Sequence, residues 1–307
     1  MILGCGEALI DMLPRTATTG EAAFAPHAGG AVFNTAIALG RLGAPVGFFS
    51  GLSTDMLGEI LADALAASDV DSRFLVRSDR PSTVAYVRLV DGQASYAFHD
   101  ENSAGRMLSL ADLPDLPAEV DTLFFGGISL VHDPAASTYA ALQAREAARR
   151  VTMIDPNIRP GFIAGHEAPY RARIEGMMAR ADIVKLSDED LHWVMGPGDV
   201  VDLARQILAK GPKVVFVTEG AAGARAVTAR QSRFAPARKV IVADTVGAGD
   251  TFNAGVLCAL HEAGALTKAR LAALSDDELD AALHLGVQAA AVTVSRAGAN
   301  PPWRSEL

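Results

Sequence analysis

Apolar and polar positions change rhythm once along this chain. From about residue 120 onward, short apolar runs at 122–125, 151–154, 183–186 and 214–218 alternate with helical stretches. The helices are predicted from Asp133-Pro134 to about Arg149, over 170–181, from the acidic start Asp188-Glu189-Asp190, and over 199–210. Unbroken β-rich runs, each followed by a helix, imply βαβ units around a buried parallel sheet. Further apolar stretches at 252–260 and 36–42, the latter closed by Gly43, read as buried helices. Ser275-x-x-Glu278 is a capping box that opens a long helix with Leu279, Leu283 and Val287 on one side.

The N-terminal third is different. Residues 82–90 and 93–99 alternate and flank Asp91-Gly92, a hairpin signal. A second pair of extended pieces surrounds residues 16–20. Together they predict a small sheet, built from segments about 8–27 and 82–100, standing off the main body. Such a sheet can cover a site and exclude water; a decorative or dimerising sheet fits the pattern equally well. The chain shows no repeat, low-complexity tract or long linker.

Composition narrows the picture. Half of the 307 residues are apolar, ample for a sizeable core. A formal net charge of −9, with no Lys/Arg-rich run, argues against nucleic acid and anionic membrane surfaces as partners. It also works against an anionic ligand, so any phosphate site must be locally positive or built from backbone dipoles. Cys5 and Cys258 lie in apolar settings without a CxxC, as buried free thiols of a reducing cytosol would. The first residues carry no basic segment and read as a strand, not a signal peptide. No apolar run approaches membrane-spanning length. A soluble cytoplasmic protein is expected.

The candidate chemistry centres on Asp244-Thr245-Val246-Gly247-Ala248-Gly249-Asp250-Thr251-Phe252-Asn253-Ala254-Gly255. A glycine-rich turn runs into a buried helix whose first carboxylate is Asp250. N–H groups at a helix start, with no Cβ at 247 and 249, form an anion cradle. A carboxylate beside such a cradle repels a resting phosphate. It makes sense if Asp250 removes a proton from a hydroxyl while the Gly247, Ala248 and Gly249 amides hold charge on a transferred phosphoryl group. Taken as a bare G-x-G-D, the string is equally an ordinary helix start with an Asp favoured by the dipole.

Other strings carry polar groups at similar junctions. Ala28-Gly29-Gly30-Ala31-Val32-Phe33-Asn34 is a tight turn feeding a helix, its glycines there for geometry or for close approach of a ligand. Asp155-Pro156-Asn157-Ile158-Arg159 follows the 151–154 strand, at the edge where open α/β sheets bind ligands. Thr218-Glu219-Gly220-Ala221-Ala222-Gly223 also follows a strand. Lys185-Leu186 leads into Ser187-Asp188-Glu189-Asp190, a serviceable capping box. No G-x-x-x-x-G-K-[ST] or G-x-S-x-G occurs, and the seven histidines show no metal-ligand spacing.

The twelve-residue string resembles the C-terminal signature of the PfkB (ribokinase-like) carbohydrate kinases. Matches at Asp11, Gly29, Gly30, Asn34, Asp55, Gly58, the Asp155–Arg159 string and Ala297-Gly298-Ala299 extend the resemblance over nearly the whole chain. The resemblance implies an α/β fold of ribokinase-like three-layer type: a mostly parallel central sheet, a small β-sheet lid, and one kinase domain over 1–307. It implies a transfer from ATP to a primary hydroxyl, with Mg²⁺ and, as in much of the family, K⁺ held by backbone carbonyls near 244–246 and 296–300. Asp250 becomes the base, and Asp11, Gly29, Gly30 and Asn34 the sugar ligands. Arg159, Lys185, Ser187, Thr218, Gly220 and Gly223 fall on the nucleotide side. The family usually has Glu where Asp190 stands, so a metal-water role for Asp190 competes with a helix cap. The implied partners are a sugar and ATP, in a monomer or a homodimer through the lid. Fructose, phosphorylated to fructose 6-phosphate, is the substrate of the branch it most resembles. The rival is 2-keto-3-deoxygluconate, an acid sugar, but Asp100 and Glu101 stand about where that branch needs a cation, with Arg88 and Arg106 the residues that could compensate. Ribokinase, nucleoside kinase and a non-catalytic sugar-binding protein are the remaining readings.

Overall fold

The computed structural model describes residues 1–90 and 93–307, without the side chains of 88–90 and 93–96; the expected Asp91-Gly92 turn lies outside them. The chain opens with β1 (Ile2–Cys5), β2 (Leu9–Thr16), β3 (Ala22–Gly29) and α1 (Ala31–Arg41). There follow β4 (Val46–Phe49), β5 (Gly51–Ser53), α2 (Met56–Ala66), β6 (Val76–Ser78), β7 (Val84–Val90) and β8 (Gln93–His99). From β9 (Thr122–Gly126) the alternation sets in, through α3 (Ala135–Glu146), β10 (Val151–Asp155), α4 (Pro160–Ile163), α5 (Glu167–Arg180) and β11 (Ile183–Ser187). Next come α6 (Asp188–Met195), α7 (Val200–Leu208), β12 (Val214–Thr218), β13 (Gly223–Thr228) and β14 (Ser232–Pro236). Helices α8 (Ala248–Glu262), α9 (Lys268–Leu271) and α10 (Asp276–Val294) complete the set.

Eight strands form one sheet in the order β14-β13-β12-β11-β10-β9-β1-β4. The six from β12 to β4 run parallel, and β13 and β14 join antiparallel at one edge. Side-chain alternation sends neighbouring residues to opposite layers. Ile2, Phe124, Met153 and Phe216 pack with residues of α1, α8 and α10 on one face. Leu3, Leu123, Phe125, Val184 and Val215 pack with Tyr139, Ile174, Leu191 and Leu203 on the other. Both faces are covered, which is why these strands read as unbroken apolar runs. Each fully buried Leu or Phe here contributes about 1.5–3 kcal/mol.

A second sheet has the order β3-β2-β7-β8, antiparallel except between β2 and β7. The two β-rich insertions therefore do form one sheet. Phe98 of β8 meets Phe162 of α4 with ring centroids 3.8 Å apart, and this ties the small sheet to the body. Phe24 and Tyr86, in edge-to-face contact at 5.3 Å, remain exposed. Cys5 and Cys258 are buried and unpaired.

Candidate active site

Strands β1, β9, β10, β11 and β12 end at one edge of the parallel sheet, so Glu7, Gly127, Asp155, Ser187 and Thr218 all belong to it. Ligands of open α/β sheets bind at this edge. Helix α8 starts there too, with Gly247 as N-cap in the left-handed region (φ 77°) and no side-chain cap. Among the described residues, the N–H groups of Gly247, Gly249 and Asp250 find no protein acceptor. The Ala248 N–H is given to Thr245 O at 3.3 Å, so the open amides of this turn are those of Gly247, Gly249 and Asp250. A helix N-terminus with open amides attracts negative charge.

The Asp250 carboxyl sits in the first turn of α8, 8% exposed. Asn34 Nδ2 donates to its Oδ2 at 2.9 Å, and Thr35 Oγ1 donates to its backbone carbonyl at 3.2 Å. Burial pushes its pKa up to about 7, with Asp155 adding to the rise and the Asn34 hydrogen bond, Lys185 and Arg159 opposing it. A carboxylate poised near neutrality is suited to general-base work.

Beneath the glycine turn lies a buried network that sequence reasoning missed. Lys185 Nζ pairs with Asp155 Oδ2 at 2.9 Å, and Asn253 Nδ2 donates to the same oxygen at 2.8 Å. A Cβ on Gly249 would stand 3.1 Å from Lys185 Nζ, so the ammonium lies directly against the cradle. Lys185 is thus a fixed positive charge at the anion site. Asp155 lies 30 residues from Lys185 and 98 from Asn253 in sequence, beyond any local pattern.

On the other side of Asp250 lie the residues expected to grip a sugar. A Cβ on Gly29 would come within 2.4 Å of Asp11 Oδ2, so the Asp11 carboxyl rests directly on that turn. Burial raises the Asp11 pKa to about 6. Gly30 takes φ 111°, a conformation that side chains disfavour. Asn34 follows one turn later. Asp11, Gly29, Gly30, Asn34 and Asp250 are therefore brought together.

The remaining site residues stand along the strand ends. Arg159 is exposed and makes no ion pair among the described residues; its Nη1 donates to Ile158 O at 3.1 Å. Ser187 caps α6, its hydroxyl accepting from Asp190 N–H at 3.0 Å. The Asp190 carboxyl is nevertheless buried, with a pKa raised by burial and by Asp155. Thr218 Oγ1 reaches Leu186 O at 3.5 Å. Gly223 has a reason internal to the fold: a Cβ there would lie 2.1 Å from Ala235 O. Gly220 takes φ 52° in the same turn.

Comparison with known proteins agrees with this geometry. The model of the pfkB family carbohydrate kinases matches residues 4–306. A fructokinase of Rhizobium leguminosarum bv. trifolii is 55% identical over 279 residues, covering 91% of this chain and 85% of that protein. The structure of a Xylella fastidiosa fructokinase with bound ATP superposes with a TM-score of 0.87 at 28% identity, covering 97% of this chain and 93% of the other. A mutant Vibrio cholerae O395 fructokinase in its fructose-, ADP- and potassium-bound form gives 0.84 at 25% identity, covering 97% and 93%. With a buried carboxylate at an open helix start and a family match along almost its full length, the chain belongs to the pfkB family of carbohydrate kinases.

Proposed function

We propose that this kinase transfers the γ-phosphoryl group of ATP to the 6-hydroxyl of fructose. The observation that carries the reading is the Asp250 carboxyl, buried beside three open amides and held by Asn34. The sugar oxygen attacks the γ-phosphorus as its proton passes to Asp250, and the bond to the leaving ADP oxygen breaks. Charge on the transferred group is met by the α8 amides and by Lys185. Asp11 and Asn34 hold sugar hydroxyls over the Gly29-Gly30 turn. Arg159, Ser187, Thr218, Gly220 and Gly223 flank the nucleotide. One kinase domain spans the chain, and the four-stranded sheet serves as its lid, excluding water during transfer.

Magnesium fits this site as an ion carried on the nucleotide's phosphates, whose charge it offsets. Asp190 would meet its water shell, its buried carboxyl lying within the field of Asp155, Lys185 and Arg159 at the strand ends.

A neutral ketose fits better than an acid sugar. Asp100 and Glu7 line one cavity at the base of the lid. Thr83 and Ser103 donate to Asp100 Oδ1 at 2.7 and 2.9 Å, so the segment after β8 that the acid-sugar reading needs to carry a cation carries a fixed carboxylate instead, with Arg106 on the same cavity as its counter-charge. A coupled ATP-consumption assay with fructose, 2-keto-3-deoxygluconate, ribose and adenosine tests this, and fructose should give the highest kcat/KM. A tenfold preference for the acid sugar, about 1.4 kcal/mol of transition-state discrimination, overturns the substrate and leaves the kinase standing.

Two further outcomes are expected. Arg159→Ala raises KM for ATP or lowers kcat, because its exposed guanidinium makes no ion pair among the described residues and can meet phosphates. A weakened sugar KM as the sole change would make Arg159 a sugar ligand instead. Potassium activates, since Asp244 Oδ2 accepts from Gly298 N–H at 2.9 Å and holds the two carbonyl-bearing loops together beside the cradle. Equal rates in potassium and in a bulky organic cation at matched ionic strength would remove that claim.

A further inference from the structure

We propose that Glu7 is a positioning residue for this transfer, fixing the start of α1, and with it Asn34, against Asp250; the inference rests on the kinase reading above. Helix starts are commonly capped by a local Ser, Thr, Asp or Asn. The N-cap of α1 is Gly30, which has no side chain to offer. The cap comes from elsewhere: Glu7 Oε1 accepts from Ala31 N–H at 2.9 Å, across 24 residues of sequence. Its other oxygen accepts from Ser129 N–H at 3.3 Å, in the segment after β9. One carboxylate thus joins the ends of β1 and β9 to the start of α1, where the helix dipole favours its charge.

The fit is close on both sides. A Cβ on Gly30 would lie 2.8 Å from Glu7 O, and one on Gly127 would lie 1.9 Å from Glu7 Oε1. From Ala31 the path to the base is short. The single Thr35 hydroxyl proton is shared between Ala31 O at 3.0 Å and Asp250 O at 3.2 Å, while the Asn34 amide holds Asp250 Oδ2. Glu7 itself is buried, facing a cavity of about 30 Å³ shared with Thr83, Asp100, Arg106 and His132. That volume admits water but not a sugar. Glu7 therefore acts through α1 rather than by touching substrate.

The test compares Glu7→Ala with Glu7→Gln, which keeps one acceptor for Ala31 N–H. For Glu7→Ala, kcat/KM for fructose should fall by about 10²-fold, the order of loss expected from an ångström of misplacement. The sugar KM should rise and KM for ATP should stay within about twofold, and Glu7→Gln should recover most of the sugar KM. A purely structural role would lower the melting temperature and the active fraction while leaving the sugar KM unchanged. That result, or a Gln variant no better than Ala, overturns the inference. If Glu7→Ala does not fold, Glu7→Asp carries the test: its shorter reach should raise the sugar KM, and a parent-like KM overturns the inference. A parent protein that phosphorylates no sugar would overturn the kinase reading instead, and this is seen before any variant is made.

Discussion

Asp250→Asn should lower kcat by at least about 10²-fold while ATP affinity stays within a few-fold. The amide keeps the size of the carboxyl but cannot take the hydroxyl proton. Because burial holds the Asp250 pKa at about 7, kcat/KM of the parent should climb with pH through that region and level off above it. The stability sign runs the other way. A carboxyl whose folded pKa lies above its ordinary 3.8 binds its proton more tightly when folded. Its contribution to stability is present at acid pH and is lost as pH rises from about 4 to about 7. The Asn variant carries no such penalty, so at pH 8 it should melt no lower than the parent. Activity loss with undiminished melting temperature separates chemistry from unfolding. A variant retaining more than about a tenth of parental turnover would sink the base assignment.

Lys185→Met should damage both stability and turnover. Its side chain and that of Asp155 are 5% and 3% exposed, so the pair is sealed from water. Removing the ammonium leaves the Asp155 carboxylate buried with the Asn253 amide as its remaining side-chain donor. Breaking such a pair costs about 3–5 kcal/mol, much of it the cost of the orphaned charge. Urea denaturation should show that loss as a lower midpoint. The double variant Lys185→Met/Asp155→Asn should regain part of the stability, because no charge is stranded, without regaining turnover. The ammonium beside Gly249 would still be missing from the anion site. A single variant as stable as the parent would show that Asp155 finds other compensation.

The sequence makes the central sheet legible because its strands are covered on both faces. The run at Val214–Thr218 is read to the residue, and its neighbours to within one. Helix ends follow their local caps: Asp199 and Ser275 mark the starts of α7 and α10. Helix α1 begins at Ala31, several residues before its apolar periodicity is apparent, because its cap lies in Glu7 and no local signal announces it. The short pieces β5 and β6, of three residues each, carry too little periodicity to be seen. Among candidate site residues, those in glycine-rich strings were legible in the sequence, since the turn itself is the signal. The Lys185–Asp155–Asn253 contacts were not. Asp155 and Asn253 stand inside quoted motifs, but only folding shows that Lys185 and Asn253 converge on one Asp155 oxygen.

The two buried cysteines offer a practical opening. Burial raises the Cys5 thiol well above its ordinary range and pushes Cys258 up to about 12. The thiolate is the reactive form, so neither should compete for a maleimide dye at neutral pH. A cysteine placed at exposed Ala22, on the edge strand of the small sheet, would then be the one group labelled. A second engineered thiol on the body would complete a distance pair. Movement of the small sheet on addition of sugar becomes an optical measurement in a protein that keeps both of its natural thiols.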